Sequence, residues 1–476
     1  MSDIYSTLND EQKEYFEWLK NGDNVFITGN AGTGKSYLVK AFSEYCKDND
    51  ISLVKTAPTG IASNEIGGAT IHSQFKLKIG LDFSSPRKAP KFLNSTDVLL
   101  IDEISMVRID VFDKLMKTIA LANKSRQEKG RKPIQLIFCG DFFQLAPVIT
   151  KNDKPHLKEY YECDIKDGYC FQSKFWSAFK VRLANLTKVV RQDDEEFCKA
   201  LDMCKYGNVD CLKYFREHFS KEPIDNAIWI CGRNTTVKKR NDEGLAKVEG
   251  RQYISFATYN GNATEKDKLC DDEFVYKVGA RVVMLINDID GLYQNGTVGT
   301  ITNVIDANSV VVRFDDDRTA IVKKHKFAKT EYVEKTKKRK VLDENGKVIT
   351  VSEKALENSE VGSAEQFPMR LGYAVTIHKS QGQTYDAMNL EPEIFANGQL
   401  YVALSRCKTA DKVYVKGSLT NRMVMTSDEV IAFYKNPDDY SFFGKSEELR
   451  AMYVPIQYVK KIEKLIKEWK EEEHGA

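Results

Sequence analysis

Two α/β domains built on doubly wound parallel sheets, each carrying a smaller insert, are the architecture that this 476-residue sequence predicts. Three observations lead there. The chain is too long for one hydrophobic core and long enough for roughly two to four modules. Its apolar runs, among them NVFIT at 24–28 and VLLI at 98–101, are continuous rather than alternating, and each leads into a loop. Strands covered on both faces read this way. Near residue 297 the pattern switches to alternation around tight turns, which marks a separate β insert between two stretches of the second domain.

The composition is that of a globular chain, with 42% hydrophobic and 29% charged residues. The 71 basic and 69 acidic residues leave a net charge of +2, so nucleic acid would have to be held in a local groove rather than by overall charge. Ten scattered Cys, without a C-x-x-C pair, read as reduced thiols in a cytosol-like compartment, with neither disulfides nor zinc expected. The N-terminal MSDIYSTLNDEQKEYFEWLK has no basic start, apolar signal core or Arg-rich pattern, and no stretch approaches a membrane span. A cytoplasmic protein, bacterial or viral-host, is expected.

After the first strand comes Gly29-Asn30-Ala31-Gly32-Thr33-Gly34-Lys35-Ser36 and then a helical run, a G-x-x-x-x-G-K-S loop in its strand–loop–helix setting. Gly32, Thr33 and Gly34 let backbone N–H groups face phosphate oxygens, Lys35 neutralises phosphate charge, and the Ser36 hydroxyl suits magnesium. A chance glycine-rich turn rarely matches all these positions with the correct flanks. DVLLIDEISM at 97–106 ends an apolar strand with Asp102 and Glu103. Asp102 would hold the magnesium shell, and Glu103, not engaged by the metal, would deprotonate an attacking water. In isolation such a pair is a solvated strand end; behind a phosphate loop it implies ATP hydrolysis.

A third apolar strand within Ile134–Val148 ends in Gly-Asp, with Gln144 just beyond, placed to hydrogen-bond a terminal phosphate. Arg191 in TKVVRQ and Arg406 in QLYVALSRCKT lie far from the loop in sequence. Alone, each reads as a surface ion pair; brought across a cleft, both would act on the transferring phosphoryl group.

A track for a single strand needs polar groups for phosphates and flat groups for bases. TAPTGIAS offers Pro58, Thr59 and Ser63, and ATIHSQF offers Thr70, His72 and Ser73, with Phe75 a candidate for base stacking. In the second half Thr376, His378, Lys379, Ser380 and Gln381 crowd one turn after an apolar strand, with Gly382 next to them. Either His alone would more often be an ordinary hydrogen-bonded residue. No recognition helix, zinc finger or basic zipper is present, so binding should be led by the backbone and sensitive to salt.

The ordered set, from Gln12 in LNDEQ through GNAGTGKS, TAPTGIAS, ATIHSQF, LLIDEISM, GDFFQLAPV, TKVVRQ and TIHKSQGQT to QLYVALSRCKT, resembles superfamily-one helicases. TAPTGIA, IHKSQG and the segment Asp113–Gly140 resemble the petite-integration-frequency (PIF) branch in particular. The resemblance implies two RecA-like motor domains, ATP and magnesium as cofactors, and 5′ to 3′ movement on single-stranded DNA. It implies that Gln12 reads adenine, that Gly382 belongs to the nucleotide site, and that Gln144, Arg191 and Arg406 complete the shell around the terminal phosphate. Forked DNA, RNA–DNA hybrids and G-quadruplexes are the implied substrates, and repair, recombination and telomere maintenance the implied settings. A solution monomer is expected. Ala146 stands where the family usually has a second Pro, and Gly372-Tyr373 where it has Ala-Trp.

These motifs divide the chain into 1–184, the first motor domain, with a wedge insert at about 76–96; 185–299 and 363–425, the second motor domain; 300–362, a small β-barrel-like insert with an Asn345-Gly346 hairpin; and 426–476, a helical tail, in which Ile456, Val459, Ile462, Ile466 and Trp469 share a face. The KTKKRKV run in the insert is open between a solvated hairpin face and a contact with a displaced strand. A switch ATPase would share the phosphate loop and the acidic pair but has no use for IHKSQG. An RNA helicase of the same superfamily stays the nearer alternative, because backbone contacts alone do not distinguish the sugars.

Overall fold

The computed structural model describes residues 3–435 apart from 31, 79, 180, 189–193, 289 and 343–347, and the backbone of 333–342 and 348–358. β1 (Val25–Gly29), β2 (Leu53–Ala57), β3 (Ala69–Thr70), β4 (Val98–Ile101), β5 (Gln135–Cys139) and β6 (Arg182–Leu186) form one parallel sheet in the order β3-β2-β4-β5-β1-β6. β1 and β4 are buried along their whole length, which is why their sequences show no alternation. Successive side chains still point to opposite faces. Val25 and Ile27 pack with Phe16, Leu38 and Phe42 from the helices Asp10–Lys20 and Lys35–Asp48. Phe26, between them, packs on the other face with Phe112, Phe138, Phe142 and Trp176. Because β4, β5 and β1 are neighbours, the loops after Ile101, Cys139 and Gly29 emerge side by side at the strands' C-terminal edge, where open α/β sheets bind ligands.

The sheet sets the first boundary later than the sequence placed it: β6 pairs with β1 from Arg182 to Leu186, so the domain ends after Leu186 rather than at 184. Among the described residues, the segment at 76–96 has no regular element besides a short 3-10 turn, Lys91–Ser95. It lies along the first domain, with Phe83 stacked on Tyr160 and Lys114 paired with Asp82.

The second domain opens with the helices Glu195–Lys205 and Cys211–His218, which pack on β7 (Ile228–Cys231), and after the helix Asn234–Ala246 the chain enters the insert. This consists of β8 (Gln252–Phe256), β9 (Thr258–Gly261), β10 (Glu273–Lys277), β11 (Arg281–Met284), β12 (Val298–Asp306), β13 (Ser309–Phe314), β14 (Thr319–Lys323), β15 (His325–Leu342), β16 (Val348–Gln366) and β17 (Met369–Leu371). They pair antiparallel as β14-β13-β12-β11-β17, β10-β8 and β15-β16-β9. Phe274, Tyr276, Val282, Val312, Phe314 and Phe367 share one core across two of these groups. The insert is therefore wider than 300–362, running from Gln252 to Leu371. β15 and β16 are in register up to Leu342↔Val348; the Asn345-Gly346 turn lies outside the described residues.

Leaving the insert, the chain returns through β18 (Ala374–Thr376), β19 (Met388–Glu391) and β20 (Val413–Val415), which join β7 in a parallel sheet of order β18-β7-β19-β20. The helix Asp428–Lys435 then packs back on the first domain. Phe433 stacks on Phe171, and the Tyr434 hydroxyl lies 2.7 Å from that of Thr28. The 455–469 face lies outside the described residues. No helix among the described residues is long and apolar enough to cross a membrane.

Candidate nucleotide cleft and single-strand track

Gly34 precedes the helix Lys35–Asp48 in the left-handed region, φ 87°, and no side chain caps the helix. The free N–H groups and the helix dipole make this end a site for phosphate. A Cβ on Gly34 would sit 2.5 Å from Gln12 Nε2 and displace that amide, and the left-handed backbone would be strained with any side chain. Lys35 Nζ donates to the carbonyls of Gly29 (2.8 Å) and Asn30 (3.0 Å), and the Thr33 hydroxyl donates to Asn30 O, which holds the loop curled. Gln12 is fixed at both ends: Oε1 accepts from Asn9 N–H, and Nε2 reaches Gly34 O at 3.4 Å.

Asp102 follows β4, and its Oδ1 accepts the N–H of Glu103 at 2.9 Å. Glu103 itself is left-handed (φ 48°), a conformation that costs a non-glycine residue about 1–2 kcal/mol. Burial pushes its carboxyl up to about 8; Asp102 and then Glu65 add to the rise, while Lys35 and Arg406 oppose it. Burial also raises Asp102, against the Glu103 N–H, the Cys139 thiol and Lys35. Asp102 and Ser36 line one cavity of about 1200 Å³ between the motor domains and the insert, with Glu65, Asn295 and Gly382 on its walls. A hydroxyl and a carboxylate facing the same space are hard oxygen donors of the kind magnesium takes.

Across the cleft, Gln381 Nε2 donates to Glu103 Oε2 (3.0 Å) and to Gln144 Oε1 (3.2 Å). The sequence assigned Gln381 to DNA; the structure turns its amide toward the carboxylate and Gln144 instead, because the turn after β18 carries it over β4 and β5. Arg406 is buried, its Nε donating to Val402 O, its Nη1 to Ser380 O and Gln383 O, and its Nη2 to Ser405 Oγ. Its charge reaches Glu103, but the guanidinium is held within the second domain. Arg191 lies outside the described residues. Gly398 (φ 75°) closes the contact from the second domain: a Cβ there would meet the carbonyls of Phe143 and Gln144 at 2.5 Å.

Two residues that sequence reasoning missed also join the domains. Lys205, at the end of the helix Glu195–Lys205, donates to Asn30 Oδ1 at 2.5 Å and lies 3.9 Å from Asp141. Glu65 accepts from Asn295 Nδ2 at 2.9 Å, Asn295 accepts from Gln383 Nε2, and Gln383 accepts from the Tyr385 hydroxyl, a chain from the first domain through the insert to the second. Neither had a local signal, since each acquires its role only from its partner's position.

Of the expected strand contacts, Thr59 and Thr70 cap short helices through bonds from Ala62 N–H and Ser73 N–H. Ser63 is buried and donates to Gly60 O, while Pro58 and His72 are half-buried. Phe75 does not stack on a base: it is buried, edge-on to Phe92, because the turn Ile71–Phe75 packs its apolar side into the core. Ser380 is likewise no surface contact, being buried with its hydroxyl donating to Ile377 O. Thr376 accepts from Lys379 N–H. His378 and Lys379 remain open, in a hollow shared with Arg233 and Phe395. Phe395, 53% exposed with Arg233 5.4 Å from its ring centre, is the flat group of this half, another residue the sequence did not reveal.

The long β15–β16 hairpin crosses the first-domain half. Glu331 accepts from Ser73 Oγ (3.0 Å) and pairs with Lys76, Tyr332 exchanges hydrogen bonds with the Gln74 amide, and Thr330 donates to Gly68 O. A carboxylate thus occupies groups suited to a backbone phosphate.

Residues 7–208 match the family model described as PIF1-like helicase. The "ATP-dependent DNA helicase Pif1" of Bdellovibrio bacteriovorus is 29% identical, over 90% of this chain and 92% of its own length. A crystal structure of Bacteroides sp Pif1 in complex with ADP-AlF4 is 30% identical, with a TM-score of 0.74 over 90% of this chain and 96% of its own. The Bacteroides Pif1 structure bound to ssDNA, at the same identity and coverage, superposes with a TM-score of 0.63.

Proposed function

This chain belongs to the PIF1-like helicase family, and on that premise we propose how it works as an ATP-dependent DNA helicase. Lys35, the uncapped helix end behind Gly34, and Gly32 and Thr33 bind the phosphates of ATP, and Gln12 fixes the loop beneath the base. Ser36 and Asp102 hold magnesium, which supplies charge neutralisation at the phosphates when bound. Glu103 takes the proton of the attacking water. Its raised affinity for protons is what a base working next to a second carboxylate needs. Gln381 orients that carboxylate from the second domain, Gln144 bonds the terminal phosphate, and Arg191 and Arg406 add positive charge from the second domain.

The observation that carries the reading is the Gln381 amide. It belongs to the same turn as His378 and Lys379, which open into the hollow we assign to the strand, and it bonds Glu103, the carboxylate we assign to hydrolysis. A strand moving under that turn therefore acts on Glu103, and closure of the cleft acts on the strand. Pro58, Thr59, Thr70, His72, Ser73, His378, Lys379 and Phe395 form the track, with the buried Ser63 and Thr376 bracing its backbone from beneath, and movement runs 5′ to 3′. The segment at 76–96 serves as the wedge, forked DNA, RNA–DNA hybrids and G-quadruplexes are the substrates, and the enzyme works as a cytoplasmic monomer. Unwinding of a 5′-tailed against a 3′-tailed duplex tests the direction: opening of the 5′-tailed substrate alone supports it, and preference for the 3′ tail overturns it.

A further inference from the structure

Arg370 lies on β17, where the insert hands the chain back to the second motor domain. Its side chain is 7% exposed, and neither Nε nor Nη2 has a hydrogen-bond partner. Burying a guanidinium with unmet donors is unfavourable, so a native fold retains such a group where something else meets it. The side chain lines a cavity of about 600 Å³ together with Lys379, Thr376, Asn241, Lys238 and Asp271. Asn241 is already committed, exchanging hydrogen bonds with the backbone of Ala374. Lys379 is held below its ordinary range by partial desolvation and then by the charge of Arg370, while Asp271 opposes the effect on both cations. Lys379 and Arg370 thus border one cavity, with the unpaired Nε and Nη2 of Arg370 buried at its wall.

The geometry points to a phosphodiester subsite in which one backbone phosphate of the tracked strand lies between Arg370 and Lys379, rests on the reading of this chain as a DNA motor, and adds a contact that the motif turn alone does not supply. Two features select a strand phosphate over one from ATP. No residue lining this cavity lines the nucleotide cavity. Lys379 and Thr376 do line both this cavity and the hollow of His378 and Phe395, so the subsite continues the track. A guanidinium offers several donors in one plane to phosphate oxygens, and Lys379 adds a mobile point charge.

The test is binding of a fluorescent oligothymidylate to the full chain across a range of salt, for wild type, Arg370→Met and Arg370→Gln, with thermal melting of each. Single-strand binding releases counterions in proportion to the phosphates neutralised, at about 0.7 per phosphate in the slope of log affinity against log salt. Both variants should bind about tenfold more weakly at low salt, with a slope shallower by about 0.7. Arg370→Met should melt no lower than wild type, because an apolar side chain of similar volume replaces an unpaired buried charge. If one variant fails to fold, the other is read alone. A folded variant that keeps the wild-type slope overturns the subsite while leaving the motor reading intact. Wild-type protein that binds no oligothymidylate overturns that reading and the subsite with it.

Discussion

The side-chain amide of Gln381 donates to the carboxylate of Glu103 at 3.0 Å, across the cleft between the two motor domains. The same amide also reaches Gln144, so one NH₂ group touches the segments that follow both β4 and β5.

Replacement of Gln381 by Leu removes this link without touching the phosphate loop. A hydrogen bond to a charged partner contributes about 1.5–3 kcal/mol. DNA-stimulated turnover should fall by about ten- to a hundredfold, with nucleotide affinity within about threefold of wild type. Steady-state hydrolysis alongside binding of a fluorescent nucleotide checks this, and an equal loss in both would place Gln381 in nucleotide binding instead.

Glu331 sits on Ser73 and Lys76, so DNA must displace it to reach them. Glu331→Gln keeps the size of the side chain and removes the competing charge. Single-strand affinity at low salt should rise about two- to fivefold, the scale of a partly exposed ion pair. Unchanged or weaker binding would show that the hairpin does not compete with the strand.

Phe395→Ala should weaken single-strand binding by about 1–3 kcal/mol, the contribution of one stacked base, with little change in salt dependence because no charge is lost. Anisotropy titrations at two salt concentrations separate this from a lost phosphate contact.

Stability should carry the signature of Asp113, whose oxygens accept from the Ser173 and Tyr161 hydroxyls. Burial pushes its carboxyl up to about 6 against those bonds and Lys117. The folded form thus binds a proton more tightly than the unfolded one, and the stability this confers is present below about pH 4 and lost as pH rises through about 6. Relative to Asp113→Asn, wild type should gain up to about 3 kcal/mol between pH 7 and pH 4, read by denaturant unfolding at each pH. A pH-independent difference would contradict the burial of the charge.

Much of this was legible in the sequence because the relevant residues are neighbours along the chain. The phosphate loop, Asp102 with Glu103, and the GD-x-x-Q segment each follow an apolar strand, and the strand order places them together. Where a short turn could face either way, the sequence misled. ATIHSQF turns Phe75 inward, and IHKSQG divides its residues between core, cleft and track. The insert began earlier than expected because β8 inverts the usual pattern. It buries Ser255 against Gln366 and exposes Ile254 and Phe256, so no alternation announced it. Lys205 and Glu65 gain their meaning from partners more than 100 residues away, and Arg370 from a cavity that forms only when β17 and the turn after β18 come together.

The central claim is that Glu103 drives hydrolysis under the control of the bound strand, and ATP turnover by wild type and Glu103→Gln, with and without single-stranded DNA, tests it most directly. DNA should raise wild-type turnover severalfold or more, and Glu103→Gln should lower it at least about a hundredfold under both conditions, the scale of losing a general base. Turnover indifferent to DNA, or a Glu103→Gln variant that hydrolyses ATP at the wild-type rate, would contradict it.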